Sequence, residues 1–210
     1  MPTPTLTPAP TATPKPDLYA GLGDALYDEQ FLPGADWELG EDASGGTNLT
    51  ESGLVLAVRE PYALRFAHSP SPDLDDFLLE VSLRVDICSG ADSFGVAFRI
   101  TPNGDHYRFT LTCAGQASFM RSRAGNLVTL TASTQTNSAM LGAPSSNHLT
   151  ILALNDTFHF FINDVEVFSQ RDRGLGSGGL GVFVQAGQAG QTTVTFQHML
   201  ALEVIPNSVP

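Results

Sequence analysis

Basic residues are scarce in this chain. Ten Lys and Arg stand against 22 Asp and Glu, a formal net charge of −12 over 210 residues. Such a surface repels polyanions, which argues against sequence-independent binding of nucleic acid or of an anionic membrane by the surface as a whole. No apolar run reaches the roughly 20 residues of a membrane-spanning helix, and none has the layout of a signal peptide. Cysteine is nearly absent, with Cys88 and Cys113 alone. Helical periodicity is missing from almost all of residues 50–205. Catalytic signatures are missing as well: there is no G-x-S-x-G and no H-E-x-x-H, and His68, His106, His148, His159 and His198 are scattered without metal-ligand spacing.

Apolar residues, by contrast, are plentiful. At 42% hydrophobic and 15% charged the chain is too apolar for a disordered protein. Its length suits one β-rich domain, which we place at residues 17–210. Residues 1–16, "MPTPTLTPAPTATPKP", hold six prolines and five threonines. A tract of this composition cannot bury a core and favours extended polyproline II, reaching about 50 Å at ~3.1 Å per residue. Such tracts resemble the linkers of secreted or surface-anchored bacterial proteins. The expected location is therefore outside the cell, with the chain a fragment lacking its signal or anchor.

Alternation with period two dominates the rest. In "LEVSLRVDIC" (79–88), Leu79, Val81, Leu83, Val85 and Ile87 point one way, and Glu80, Ser82, Arg84, Asp86 and Cys88 the other. "SFGVAFRI" (93–100) buries Phe94, Val96, Phe98 and Ile100. "YRFTLTC" (107–113) buries Tyr107, Phe109, Leu111 and Cys113. Pairing these across their turns sets Val85 opposite Val96, Phe98 opposite Phe109 and Ile100 opposite Tyr107. Cys113 then faces the core and Cys88 faces outward two strands away, which argues against a disulfide. "LTILALNDTFHFFINDVEVF" (149–168) reads as a three-strand meander turning at Asn155-Asp156 and Asn163-Asp164. "LGVFVQA" (180–186) and "TVTFQHMLALEV" (193–204) add two strands, "LVLAV" and "YALRFA" two more. Ten or more short antiparallel strands without helices imply two packed sheets.

Gly174, Gly176 and Gly179 satisfy G-x-G-x-x-G, a phosphate-binding pattern only when a helix follows it. Here "VFVQAG" follows, which is strand-like. The glycines read as a bend between strands.

The order of these segments resembles the concanavalin A-like lectin/glucanase superfamily, and within it laminin-G-like or 3-keto-disaccharide-hydrolase-like domains of bacterial surface proteins. The matching pieces are Phe31 and Trp37 in "FLPGADW", Gly53-Leu54 in "ESGLVLAV", and "FGVAFRITPNGDHYRFTL" with Phe98-Arg99 and Tyr107. "NHLTILALNDTFHFFINDVEVF", "GLGVFV" and "VTFQHM" complete them, covering residues 24–205. The resemblance implies an all-β, two-sheet antiparallel jelly-roll sandwich whose modules often bind glycans without catalysis. Glucanases of the superfamily carry E-x-D-x-(x)-E on one strand, supplying the close carboxylate pair that retaining hydrolysis needs. This sequence contains no E-x-D. The resemblance also implies structural calcium, for which Asp24, Asp28, Asp73, Asp75 and Asp76 are the oxygen donors to consider. Trp37 is expected in the core or at a sheet edge, with a sugar-stacking platform as the alternative.

The faces opposite the core carry the candidate ligand site. Ser82, Arg84, Arg99, Arg108, Thr110 and Thr112 share one face by parity, joined by Phe119, Arg121 and Arg123 if the hairpin after Gly115 keeps register. A turn shifted by one residue sends Phe119 inward instead. The expected ligand residues are Arg84, Arg99, Arg108, Thr110, Phe119 and Arg121, suited by guanidinium geometry and one aromatic ring to an acidic or neutral glycan. The bland alternative pairs these arginines with Glu80, Asp86 or the acidic stretch 16–58. Leu152, Leu154, His159 and Phe161 form a second apolar face, which leaves protein self-association open. Three readings follow: a carbohydrate-binding module, a structural or adhesive subunit, and a glycan-processing enzyme.

Overall fold

The computed structural model describes residues 21–205, all of which are strand, turn or loop. The expected linker lies outside them. In chain order the strands are β1 (Leu22–Glu29), β2 (Gly40–Asp42), β3 (Gly45–Thr50), β4 (Gly53–Val58), β5 (Leu64–His68) and β6 (Phe77–Ile87). Then come β7 (Ser93–Ile100), β8 (His106–Thr112), β9 (Gln116–Arg123), β10 (Asn126–Gln135) and β11 (Ser145–Leu154). The last four are β12 (Thr157–Ile162), β13 (Val165–Arg171), β14 (Gly179–Gln185) and β15 (Thr192–Val204).

These strands build two antiparallel sheets packed as a jelly-roll sandwich. The larger has the order β13-β12-β11-β6-β15-β4-β3-β2, and the six-stranded one β10-β9-β8-β7-β14-β5. β15 is long enough to serve two neighbours on one side. Its first half pairs with β4, from Thr192 opposite Val58 to Phe196 opposite Leu54, and its second half pairs with β1. The core between the sheets is aromatic. Phe98 stacks on Phe119 at 6.1 Å and meets Phe77 edge-on at 6.1 Å, while Phe119 lies 4.6 Å from Phe160. Each such ring removed from water contributes about 1.5–3 kcal/mol, and each well-oriented pair about 0.5–1.5 kcal/mol more.

The strand pairing differs from the expected one. β6 and β7 are consecutive in sequence but lie in different sheets: β6 pairs with β11 and β15, and β7 with β8 and β14. Val85 therefore faces Ser145 and Val194, not Val96. Val96 pairs with Phe109, and Phe98 with Tyr107. Alternation fixes which side of a strand is buried but not which strand lies beside it. The crossing from sheet to sheet overturns the cysteine expectation. Cys88 follows β6 where the chain turns over, Cys113 follows β8, and the two form a disulfide with Cα atoms 5.9 Å apart. Asp92, fully buried in the same turn, accepts from the Ser89 N–H at 2.8 Å and the Gly187 N–H at 2.6 Å.

The meander is as expected. Asn155, Asn163 and Asp164 take φ of 52°, 49° and 64°, the left-handed values that these side chains tolerate in hairpin turns. The glycine-rich segment is a bend and no helix follows it. Leu74 and Gly178 exchange backbone hydrogen bonds, 2.9 and 3.1 Å, that clamp it to the chain before β6. A Cβ on Gly174 would stand 2.4 Å from an Nη of Arg121, so the bare backbone there makes room for the guanidinium. Trp37 is buried against Phe31 at 5.2 Å, with its Nε1–H donating to Glu29 at 3.0 Å.

Candidate ligand-binding site

The six expected ligand residues do not share one face. Arg84 lies on the outer face of the larger sheet, held by Asp86 at 2.6 Å. It is separated from the others because β6 and β7 part company. Phe119 pairs with Phe109 and is fully buried in the core, so the hairpin takes the shifted register. Arg121 pairs with Tyr107, faces the same way, and binds Asp172 at 2.6 Å. Arg99 is only 1% exposed. It is the extra residue of a bulge between Ile100↔Gly179 and Phe98↔Leu180, with φ of 49°. The bulge rotates its side chain off the outer face that parity assigns it and over the Phe158 ring, at 4.9 Å. There it donates to the carbonyls of Leu175 at 2.9 Å and Asp75 at 2.6 Å. The bulge also moves Ile100 to the outer side, where its Cδ1 stands beside Gly181. Arg99, Phe119 and Arg121 therefore leave the outer face that parity assigns them.

Arg108 and Thr110 stay on the outer face of the six-stranded sheet. The registers assemble that face row by row: Leu64, Gln185, Ser93 and Thr112, then Phe66, Phe183, Gly95, Thr110 and Ser118, then His68, Gly181, Ala97, Arg108 and Met120. His106 opposite Ser122 closes it. None of these residues is Asp or Glu. Small residues on β7 leave the ridge of long side chains standing over a low floor.

The ridge is organised around Arg108. Its guanidinium lies over Phe183 at 5.2 Å and Phe66 at 5.8 Å, cation–π contacts that fix its plane. Its Nε–H donates to Nε2 of His106 at 2.8 Å. Nδ1 of His106 lies 2.7 Å from the Gly104 carbonyl, which accepts its proton. That places the single proton of a neutral imidazole on Nδ1 and leaves Nε2 as acceptor. Burial, and then the charge of Arg108, hold the His106 pKa below its ordinary value. Burial likewise lowers that of Arg108.

Partner by partner, Arg108 stands apart. Arg59, Arg65, Arg84, Arg99, Arg121, Arg171 and Arg173 each have a carboxylate partner. Among the described arginines only Arg108 and the exposed Arg123 lack one. Arg108 is half-buried, so its charge is the one that is desolvated without being neutralised.

The expected calcium donors lie at the end of the sandwich. Asp75, Asp76, Arg99, Asn155, Asp156, Asp172 and Arg173 surround a cleft of about 430 Å³, and Asp73 lines its neighbour with His68 and Gly104. Asp75 accepts from the Asp76 N–H at 2.9 Å, and Asp76 from the Asn155 N–H at 2.6 Å. Asp156 takes Arg171 and Arg173, which hold its carboxyl far below the usual range. The Asp73, Asp75 and Asp76 oxygens do not converge on one point. Asp28 instead binds His198 at 2.8 Å. Among the described residues the one convergent set of three is Cys88, Asp92 and Cys113, whose sulfurs are bridged. Asp28, Asp75, Asp76 and Asp156 are engaged in turns and ion pairs.

Phe66, Phe183 and His106 were not singled out from the sequence. The signal existed: Phe183 alternates with the inward Val182 and Val184, and Phe66 shares parity with His68.

Comparison with solved structures gives the architecture a name. A carbohydrate-binding module CBM66 from Bacillus subtilis superposes with a TM-score of 0.63 at 19% identity, covering 78% of this chain and 92% of that one. The chain has the concanavalin A-like lectin/glucanase fold. A Bacillus subtilis protein of unknown function with a galectin-like fold matches the sandwich with a TM-score of 0.66 at 14% identity, covering 89% of this chain and 99% of that one. A Bacillus licheniformis β-glucanase matches with 0.61 at 10%, over 85% and 98%. No family model and no curated protein sequence matches the chain. The concanavalin A-like sandwich thus hosts binding modules and hydrolases alike, and the side chains must decide between them.

Proposed function

We propose that this chain is a non-catalytic carbohydrate-binding module that works outside the cell on a Pro/Thr-rich spacer, with the Arg108 face as its binding surface. The observation that carries the reading is Arg108 itself, a half-buried guanidinium laid on Phe66 and Phe183 without a carboxylate partner. Sugars are recognised by planar donors set beside apolar rings, and this ridge provides both. The described residues of that face include no carboxylate to act as nucleophile or acid, which favours binding over hydrolysis. The similarity to a carbohydrate-binding module agrees with this reading. The Cys88–Cys113 bridge suits an oxidising compartment.

The experiment is a polysaccharide pull-down with the whole chain, wild type beside Arg108→Ala, run with an assay for newly released reducing ends. Binding that the substitution removes, without turnover, is the expected result. Turnover would replace this reading with an enzymatic one.

The second reading, a structural or adhesive subunit, gains no such support: Leu78, Leu152, Phe161 and Val204 cluster on the larger sheet, but each is at most 6% exposed within the single chain and so is already covered.

A further inference from the structure

The chemistry around Arg108 narrows the ligand. Resting on the carbohydrate-binding reading above, we infer that the group Arg108 receives is a carboxylate, so that the ligand is an acidic glycan carrying uronic acid residues.

Four features of the site lead there. First, the guanidinium is already half used. Its Nε–H is committed to Nε2 of His106 at 2.8 Å, while Nη1 and Nη2 make no hydrogen bond to any described residue. The terminal edge of the fork is therefore what a ligand meets. Two parallel N–H bonds from that edge match the two oxygens of a planar carboxylate.

Second, the fork is pre-set. Phe183 and Phe66 hold its plane from one side and His106 fixes its rotation, so little side-chain freedom is lost when a ligand docks. His106 can do this only as a neutral acceptor, because its Nδ1 proton is given to Gly104. It orients the charge without neutralising it.

Third, the charge needs a counter-ion. A guanidinium taken partly out of water without a partner is unfavourable, and seven other arginines of this chain avoid that state by pairing with Asp or Glu. A neutral hydroxyl would satisfy the N–H groups but not the charge. A carboxylate satisfies both.

Fourth, the surroundings accept an anion. Gly95, Ala97, Thr110, Ser118 and Met120 neighbour Arg108 across β7 and β9 and carry no negative charge. The net charge of −12 lies elsewhere on the chain. Phe66 remains partly exposed beside the fork and offers its ring to the apolar face of a pyranose. A single arginine, with no lysine among the described residues, suits one carboxylate per sugar better than the dense charge of a sulfated chain.

The test is titration of the full chain with polygalacturonate, its fully methyl-esterified form, a neutral galactan and dextran sulfate, for the wild type, Arg108→Lys and Arg108→Met. Melting curves establish that each variant is folded, and methyl esterification tests the charge with no variant at all. The expected result is binding to polygalacturonate that weakens roughly tenfold to a hundredfold on esterification and in both variants, the loss expected for hydrogen bonds to a charged group. Arg108→Lys weakens it because a point charge lacks the planar fork. Binding of the galactan and the esterified polymer as tight as that of polygalacturonate would overturn the carboxylate inference while leaving the carbohydrate reading intact. Dextran sulfate binding as well as polygalacturonate would overturn it in favour of charge alone. Polygalacturonate binding that survives Arg108→Met would overturn the assignment of the site. No binding to any of the four would overturn the inference.

Discussion

The hydroxyl of Tyr107 donates to Asp172, 65 residues further along the chain, and accepts from the N–H of Leu175 at 3.0 Å. Tyr107 is fully buried, so this one oxygen ties the bend before β14 to the aromatic core. Asp172 also receives Arg121 at 2.6 Å. Burial by itself raises the Asp172 carboxyl, but the bonds from Tyr107, the Gly174 N–H and Arg121 outweigh it and bring the pKa below the ordinary value.

Replacing Tyr107 by Phe keeps the ring and orphans the Leu175 N–H. The expected loss is about 1–3 kcal/mol in urea unfolding. The alkaline limb should change too. Burial, and then the bond to Asp172, push the Tyr107 hydroxyl up to about 12. The unfolded chain therefore loses this proton first, and stability falls as pH rises from the ordinary phenol value of 10.0 toward about 12. Tyr107→Phe should flatten that fall, and an unchanged slope would remove Tyr107 from the account.

The Cys88–Cys113 bridge closes a sequence separation of 25. The loop-entropy relation gives about 3.5 kcal/mol for a ring of this size. Reduced protein, or the Cys88→Ser/Cys113→Ser variant, should unfold at correspondingly lower denaturant concentration with little change in the native spectrum. Equal midpoints for the oxidised and reduced forms would contradict the bridge.

His106 sets a pH limit on the candidate site. Its folded pKa lies below its ordinary value through burial, which outweighs the opposing bond to the Gly104 carbonyl; the charges of Arg108 and then His68 lower it further, and Asp105 opposes them. A depressed basic pKa means that the unfolded chain takes up the proton first. Stability is thus full above the ordinary imidazole value of 6.5 and declines as pH falls below it toward the folded pKa. Protonation also removes the Nε2 lone pair that holds Arg108. Binding through Arg108 should weaken over the same acid range, and His106→Asn should lose that pH dependence. A wild-type affinity that stays flat as His106 titrates, followed by NMR of its ring, would separate His106 from the site.

The sequence made the fold class readable because apolar alternation specifies the buried side of each strand, as in 79–88 and 107–113. It also exposed the Asn155 and Asn163 turns, whose residue types suit positive φ. Neighbour identity was not readable in the same way. Nothing local to "DICSGADSF" says that the chain changes sheets there, and the position of Arg84 and the disulfide both hang on that crossing. Arg99 failed for a different reason, since a bulge adds one residue and breaks the parity on which its face was assigned. Phe119 depended on a one-residue choice of turn. Arg108 keeps the face that parity assigns it because its row contains no irregularity between Ala97 and Met120.

Arg99 and Arg108 therefore offer a sharp contrast between two arginines that a strand pattern treats as equivalent. Arg99 is sealed in, and its donors satisfy the carbonyls of Asp75 and Leu175 from two separate loops. Replacing it by Met leaves those carbonyls unpaired and loosens the end of the sandwich, at about 2–4 kcal/mol. Replacing Arg108 by Met removes stacking on Phe66 and Phe183, about 1 kcal/mol at a half-exposed site, and returns His106 Nε2 to water. Part of that loss is recovered because an uncompensated charge also disappears. Paired urea titrations should show Arg99→Met as the more destabilised variant, while glycan titration shows Arg108→Met as the weaker binder at temperatures where both are folded. Arg84→Met serves as the control on the other sheet, and its half-exposed pair with Asp86 should matter little to either measurement. If Arg84→Met weakened binding as much as Arg108→Met, the ligand would have to reach both outer faces at once, and the Arg108 ridge could not be the site.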